Sequence, residues 1–154
     1  MQLKDEVELL RRVPLFAGVA PSKLKLLAFT SDRVSYRAGD LLFKQGDPAD
    51  AAYVLLSGSA DILVGNGNDQ IKVATLESNS IVGEIAILCD VARTATVKAA
   101  APLETLRIKK DQFIRLLAEF PEMAVEIMRV LADRLSRTTA ELSEARSQLR
   151  RLSH

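Results

Sequence analysis

Apolar residues recur at helical spacing near both ends of this chain and at strand spacing in its middle. In residues 3–11 they repeat every three or four positions, which predicts a short amphipathic helix. Pro14 ends that helix, and Pro21 stands at the favoured first position of a second one. Residues 1–30 are therefore expected to form helices that pack on the rest of the chain.

Residues 31–109 consist of short apolar runs separated by turn residues, and Asn66-Gly67 is a strong hairpin signal among them. About eight short strands at such spacing predict an antiparallel sandwich or barrel, so the fold class is α+β and mainly β. The predicted strands are 33–36, 41–44, 52–56, 60–64, 70–76, 93–99 and 103–108.

From residue 110 the pattern is helical again. Asp111 is the expected N-cap of one helix, and 121–152 would form a second helix of about 48 Å. Its apolar positions form a heptad seam in which Thr138 fills one place. The seam consists of Met128, Leu131, Leu135, Leu142, Ala145, Leu149 and Leu152. One chain cannot bury such a seam, so a parallel homodimer is predicted, with packing on another domain of a larger assembly as the alternative.

The composition excludes several classes of function, because cysteine and histidine are each present once. With 154 residues and a net charge of +1, the chain suits one domain (1–154) and has no bulk attraction to nucleic acid or anionic membranes. Cys89 is the one cysteine and His154 the one histidine, which argues against disulfides, metal sites and histidine-based catalysis. No apolar run approaches the roughly 18–20 residues of a membrane span. We expect a cytoplasmic protein that is not an enzyme and has no metal or cofactor. Cys89 is expected to be a small buried apolar filler, with a redox-sensitive thiol as the alternative.

The segment 82–97 combines the residues that suit a ligand. Gly83 lets a ligand approach the backbone, and the short helix 83–88 that follows begins with free N–H groups. Arg93 lies nine residues after Glu84. One fixed cation and one fixed carboxylate suit a small ligand with a single phosphate and a sugar hydroxyl. Taken singly, Glu84 could equally be a first-turn carboxylate and Arg93 an exposed strand residue.

Together these features resemble the cyclic-nucleotide-binding domain family, over essentially the whole chain. The motifs that carry the resemblance are Val13-Pro14-Leu15-Phe16, Ala38-Gly39-Asp40, Gln45-Gly46-Asp47, Tyr53, Gly58, Gly83-Glu84-Ile85-Ala86 and Arg93-Thr94-Ala95-Thr96-Val97. The resemblance implies an eight-stranded antiparallel β-roll, a double-stranded β-helix or jelly roll, over 31–109. It implies a phosphate-binding cassette at 82–97, and C-terminal helices (110–154) that serve as lid and dimerisation coiled coil.

Carried over by position, the resemblance implies contacts with the phosphate and the sugar. Arg93 would pair with the charged exocyclic oxygen of the cyclic phosphate. Glu84, helped by the Gly83 backbone, would accept a hydrogen bond from the ribose 2′-hydroxyl. The other phosphate donors would be the backbone N–H groups of Ile85, Ala86, Thr94 and Ala95 and the Thr94 hydroxyl.

The segment from Arg134 to Thr139 resembles the part of the family that holds the adenine amino group across a dimer. Thr138 would contact the base of its own subunit and Thr139 that of the partner, although Thr138 could instead set the coiled-coil register and Thr139 could be solvated. Two departures bear on the ligand. Ala92 stands where the family often has proline, and Thr94 also occurs beside the arginine of cyclic-GMP binders. Cyclic AMP is favoured over cyclic GMP.

The resemblance predicts a cyclic-nucleotide receptor that signals by moving its C-terminal helices. Its expected partners are the nucleotide, a second copy of the chain and an unidentified downstream protein, with no direct nucleic-acid or membrane binding. The chain is not expected to contain a helix-turn-helix or catalytic domain. Two alternatives stay open: a ligand-free dimeric scaffold of the same fold, and the sensor half of a truncated DNA-binding regulator.

Overall fold

The computed structural model describes residues 3–65 and 67–152, so Asn66 and His154 lie outside the described residues. The helices are α1 (Leu3–Arg11), α2 (Pro21–Thr30), α3 (Glu84–Leu88), α4 (Lys110–Glu119) and α5 (Pro121–Leu152), with 3-10 turns at Pro14–Phe16 and Gly67–Asp69. The strands are β1 (Asp32–Tyr36), β2 (Leu41–Phe43), β3 (Ala51–Ser57), β4 (Ala60–Val64), β5 (Ile71–Leu76), β6 (Ile81–Val82), β7 (Thr96–Ala99) and β8 (Leu103–Lys109).

The strands form two four-stranded antiparallel sheets, in the orders β1-β8-β3-β6 and β2-β7-β4-β5. Sequence neighbours therefore often lie in different sheets, and the chain winds between the two as in a β-roll. The predicted class, mainly antiparallel β with flanking helices and a long C-terminal helix, is confirmed.

Strand β3 explains how one apolar run serves two cores. Side chains alternate across a strand, so a run without polar residues must be covered on both faces. Ala52, Val54 and Leu56 pack in the core beneath the helices. Ala51, Tyr53 and Leu55 pack in a second core inside the roll. The second core adjoins the candidate site.

Helix α5 changes environment along its 32 residues. Met123 and Ile127 are buried against the first core, and Leu131 packs partly against it. From residue 132 to 152 every residue of the helix is exposed, including the seam residues Leu135 and Leu142. Only the first part of the helix is thus packed on its own chain.

Several predicted boundaries were wrong. β7 begins at Thr96 and not at Arg93. The backbone of Arg93 instead bonds to the turn between β2 and β3: its N–H donates to the Asp47 carbonyl and its carbonyl accepts from the Gly46 N–H, both at 2.8 Å. The two-residue strand β6 was missed, being too short to show a pattern. The N-cap of α4 is Lys109, not Asp111, and no side chain caps it. Cys89, predicted to be buried, is exposed, because it directly follows α3 at the surface.

Candidate functional site

The site is built around the turn from β6 into α3. Gly83 occupies this turn with a φ of 88°, in the left-handed region where a residue without Cβ is favoured. Glu84 is the first residue of α3. The turn therefore places the buried Glu84 carboxylate next to the backbone of Gly83, which has no side chain to cover it.

A cavity of about 270 Å³ opens beside this turn. Eight of the predicted site residues line it: Gly83, Glu84, Ile85, Ala86, Arg93, Thr94, Ala95 and Arg134. Its other walls are apolar and come from Phe43, Ile62, Val64, Val73, Leu76, Ile81, Val82 and Val97. The volume lies just below the range of about 300–1,000 Å³ typical of small-molecule sites.

A second cavity of about 210 Å³ adjoins the first. Glu84 and Arg134 line both, so these two side chains stand at the boundary. The second cavity extends to the 3-10 turn at Leu15 and to α5 at Ile127 and Leu131. A ligand in the first cavity would therefore have room to extend towards α5.

Arg93 is almost fully buried, with 3% of its surface exposed. Its Nη1 donates to the Gly83 carbonyl at 2.7 Å, and its Nη2 donates to the Ala51 carbonyl. The Phe43 ring lies 4.0 Å from the guanidinium carbon, a cation–π contact. The carboxylate of Asp50 is more distant, at 3.7 Å from Nη2. The alternative of an exposed strand residue is therefore wrong for Arg93.

The charge on Arg93 is incompletely compensated. Burial lowers the pKa of Arg93, while nearby Tyr53, Asp50, Asp47 and Glu84 act in the opposite direction. The Nε atom is buried and, among the residues that the structure describes, has no hydrogen-bond acceptor. Because a buried N–H without an acceptor is costly, this donor is suited to an anionic oxygen from outside the chain.

Glu84 is also buried, with 7% of its surface exposed. Burial is the largest influence on the pKa of Glu84 and raises it. Its own backbone N–H and the charges of Arg134 and Arg93 partly oppose the rise. Within the described part of the chain, no other residue donates a hydrogen bond to this carboxylate. The Glu84 carboxylate lies in the wall of the cavity and can therefore accept further hydrogen bonds.

The raised pKa makes a prediction for stability. Below the ordinary value of 4.5, Glu84 is protonated whether the chain is folded or unfolded. As the pH rises above this value, the unfolded chain loses the proton first, so the free energy of unfolding falls until the folded-state pKa is passed. Glu84→Gln should remove this fall and be more stable than the unliganded wild type at neutral pH.

Denaturant unfolding across pH 4 to 8 measures this effect, and Glu141→Gln provides the control. Glu141 is exposed on α5, so the same chemical change there should leave the pH profile of the wild type unaltered. Parallel profiles for wild type and Glu84→Gln would contradict the burial of the Glu84 carboxylate.

Thr138 and Thr139 stand apart from the other predicted site residues. Both are exposed on α5, and neither lines the cavity of its own chain. Arg134, one helical turn earlier, does line it. The contact of Thr138 with the base of its own subunit and that of Thr139 with the base of a partner both stay predictions.

The residues that hold Arg93 were missed by sequence reasoning. Phe43 ends β2, and Asp50 and Ala51 lie just before and at the start of β3. A backbone carbonyl has no signature in the sequence, so the contact of Ala51 could not be predicted. The apolar alternation of Ile62 with Val64 on β4 could have identified one wall of the cavity.

Comparison with known proteins identifies the class. Residues 33–120 match the family described as "Cyclic nucleotide-binding domain", and this chain belongs to that family. Within the described residues, no helix is long and apolar enough to cross a membrane.

Individual relatives agree with that assignment. The chain is 32% identical over 108 residues to the cAMP-dependent protein kinase regulatory subunit of Emericella nidulans, a match that spans 70% of this chain and 26% of the relative. It is 27% identical over 139 residues to the CRP-like cAMP-activated global transcriptional regulator of Mycobacterium tuberculosis, covering 89% and 62%. The chain thus spans less than two thirds of the length of these curated relatives.

A solved structure resembles almost the whole chain. The sensor domain of the transcriptional regulator DNR from Pseudomonas aeruginosa matches with a TM-score of 0.78 and 26% identity, covering 90% of this chain and 94% of that one. The β-roll and the long helix after it are therefore shared with a sensor domain.

Proposed function

We propose that this chain is a receptor module for a cyclic nucleotide, cyclic AMP in preference to cyclic GMP. The observation that carries the proposal is the buried guanidinium of Arg93, with an unpartnered N–H at a cavity that Glu84 also lines. A cyclic phosphate bears one negative charge, which would offset the cost of burying the cation. The names of two relatives include cAMP, which supports this choice of base.

The site residues take the following roles in the proposal. Arg93 pairs with the cyclic phosphate, helped by the Thr94 hydroxyl and by the backbone N–H groups of Ile85, Ala86, Thr94 and Ala95. Glu84 and the Gly83 backbone hold the ribose 2′-hydroxyl. Arg134 and Thr138 face the base, and Thr139 reaches it from a second copy of the chain.

Calorimetric titration of the full chain with cyclic AMP and cyclic GMP tests the proposal. We expect binding of both and tighter binding of cyclic AMP. The 2′-deoxy analogue of cyclic AMP should bind about 1.5–3 kcal/mol more weakly, the usual contribution of a hydrogen bond to a charged group. No heat and no thermal shift with either nucleotide would favour the alternative of a ligand-free scaffold.

We also propose a parallel homodimer through α5. The seam residues Leu135 and Leu142 are 68% and 54% exposed, and such a stripe is buried when two helices pair. Pairing along this seam would bring Thr139 of one copy near the cavity of the other.

Leu142→Lys should weaken the dimer at least about tenfold, because a charge replaces an apolar contact in the seam. Ser143→Lys adds the same charge one position outside the seam and should remain dimeric. Analytical ultracentrifugation measures both variants. A wild-type chain that sediments as a monomer at micromolar concentration, with and without nucleotide, would remove the dimer and the role of Thr139.

The output of the module would be conformational. The proposal includes no catalytic step, no cofactor and no direct contact with nucleic acid or membrane, and it places the protein in the cytoplasm. Nucleotide in the first cavity would bias the position of the helices after Lys110, provided that two positions bind the nucleotide with different affinity. An unidentified downstream protein would read the change. If the chain is the sensor half of a longer DNA-binding regulator, the same nucleotide-linked shift of these helices would transmit the signal.

A further inference from the structure

The aromatic ring of Phe43 closes one side of the Arg93 pocket. Phe43 is the last residue of β2 and lines the cavity, and its ring centroid lies 4.0 Å from the guanidinium carbon. The ring also contacts the ring of Tyr53, with 5.9 Å between the two centroids. Phe43 therefore contacts both the interior of the roll and the side chain that carries the proposed function.

Different groups contact the edge and the face of the Arg93 guanidinium. Nη1 and Nη2 each donate to a backbone carbonyl, of Gly83 and Ala51, while Nε has no acceptor. Two carbonyls restrain one edge of a planar group but leave its plane free to tilt about that edge. The Asp50 carboxylate, 3.7 Å from Nη2, is also near this edge, whereas the Phe43 ring lies against the face of the guanidinium and opposes the tilt.

The fit around Phe43 leaves little space. A Cβ atom built on Gly83 would lie 3.3 Å from Cε2 of Phe43 and 2.6 Å from Nη1 of Arg93. The ring, the glycine and the guanidinium therefore meet at one point. An aliphatic side chain at position 43 could fill the volume, but it would offer no negative π face to the buried cation.

We propose that Phe43 is a positioning residue for the anionic group of the ligand, which it serves by fixing the plane of Arg93 before the ligand arrives. The inference rests on the proposed function, because it assumes that Arg93 receives the cyclic phosphate. A guanidinium that is already oriented does not have to be ordered during binding, and this raises affinity.

Replacing Phe43 with mono-, di- and trifluorinated phenylalanine tests the proposal. Fluorine withdraws electron density from the ring face while the ring keeps its shape, so a purely structural role would not follow the series. The dissociation constant of cyclic AMP should rise at each step, to about tenfold for the trifluorinated ring. The same series at Phe29, which is exposed on α2 and lines neither cavity, should leave binding unchanged. A flat series at Phe43 would overturn the proposal.

The unliganded protein gives a second readout. The guanidinium protons of Arg93 should resonate upfield in the NMR spectrum of the wild type, because the guanidinium carbon lies 4.0 Å from the centroid of the Phe43 ring, and Phe43→Leu should return them to an ordinary position. An ordinary position in the wild type would overturn the inference. Failure of the wild type to bind any cyclic nucleotide would overturn the proposed function and the inference together, whereas normal binding with a flat fluorine series would overturn the inference alone.

Discussion

Arg93→Ala is expected to weaken cyclic AMP binding by about 2–5 kcal/mol, the usual cost of removing one partner of a buried, hydrogen-bonded charge pair. The loss should be large because Arg93 is 3% exposed, so water cannot readily replace its donors to the phosphate. The Phe43 ring and two carbonyls hold the group in place before binding, so its removal also discards an oriented donor. Calorimetry on the folded variant measures the change.

Two further variants serve as controls. One distinguishes the shape of the guanidinium from its charge, and the other tests whether the loss of any arginine weakens binding. Arg93→Lys keeps the charge but cannot reproduce the planar fork, so an intermediate affinity is expected. Arg33→Ala removes an arginine of β1 that pairs with Glu6 at 2.9 Å and lies outside both cavity linings. It should bind cyclic AMP like the wild type. Wild-type affinity in Arg93→Ala would show that the phosphate is bound elsewhere.

Eight residues that the spacing of Gly83, Glu84 and Arg93 and the family resemblance suggested for the site line one cavity in the structure, while their contacts with a ligand stay predictions. The turn before α3 requires a left-handed conformation, which Gly83 can adopt. Glu84 follows at the start of a helix, as predicted. These are local properties of consecutive residues, which sequence reasoning handles well. Arg93 lines the same cavity and donates to the carbonyl of Gly83, directly before α3.

The setting of Arg93 could not be predicted in the same way. Its burial depends on the Ala51 carbonyl, 42 residues earlier in the chain, and on a ring at the end of a different strand. Such contacts arise only when β2, β3 and β6 meet, and the two-residue β6 was itself invisible in the pattern. The predicted role of Thr139 illustrates a different limit, since it depends on a second chain and the packing of one chain cannot test it.

Gly83→Ala is expected to lower both stability and nucleotide affinity. An alanine at a φ of 88° costs about 1–2 kcal/mol in backbone conformation. Its Cβ would also lie 2.6 Å from Nη1 of Arg93 and 3.3 Å from the Ala51 carbonyl oxygen, so the guanidinium or the turn must shift and the hydrogen bond between them is disturbed. Loss of the oriented Arg93 donors should weaken cyclic AMP binding by about 1–3 kcal/mol. Denaturant unfolding and calorimetry measure the two effects.

Gly39→Ala separates backbone strain from displacement of Arg93. Gly39 has a φ of +94°, close to that of Gly83, yet a Cβ there would meet no atom within 4 Å. Its alanine variant should therefore lose a similar amount of stability and keep wild-type affinity for cyclic AMP. Equal losses of affinity in the two variants would mean that binding follows general stability. A loss confined to Gly83→Ala would tie the position of the guanidinium to the bare backbone at the start of α3, because only there does an added methyl group reach Arg93.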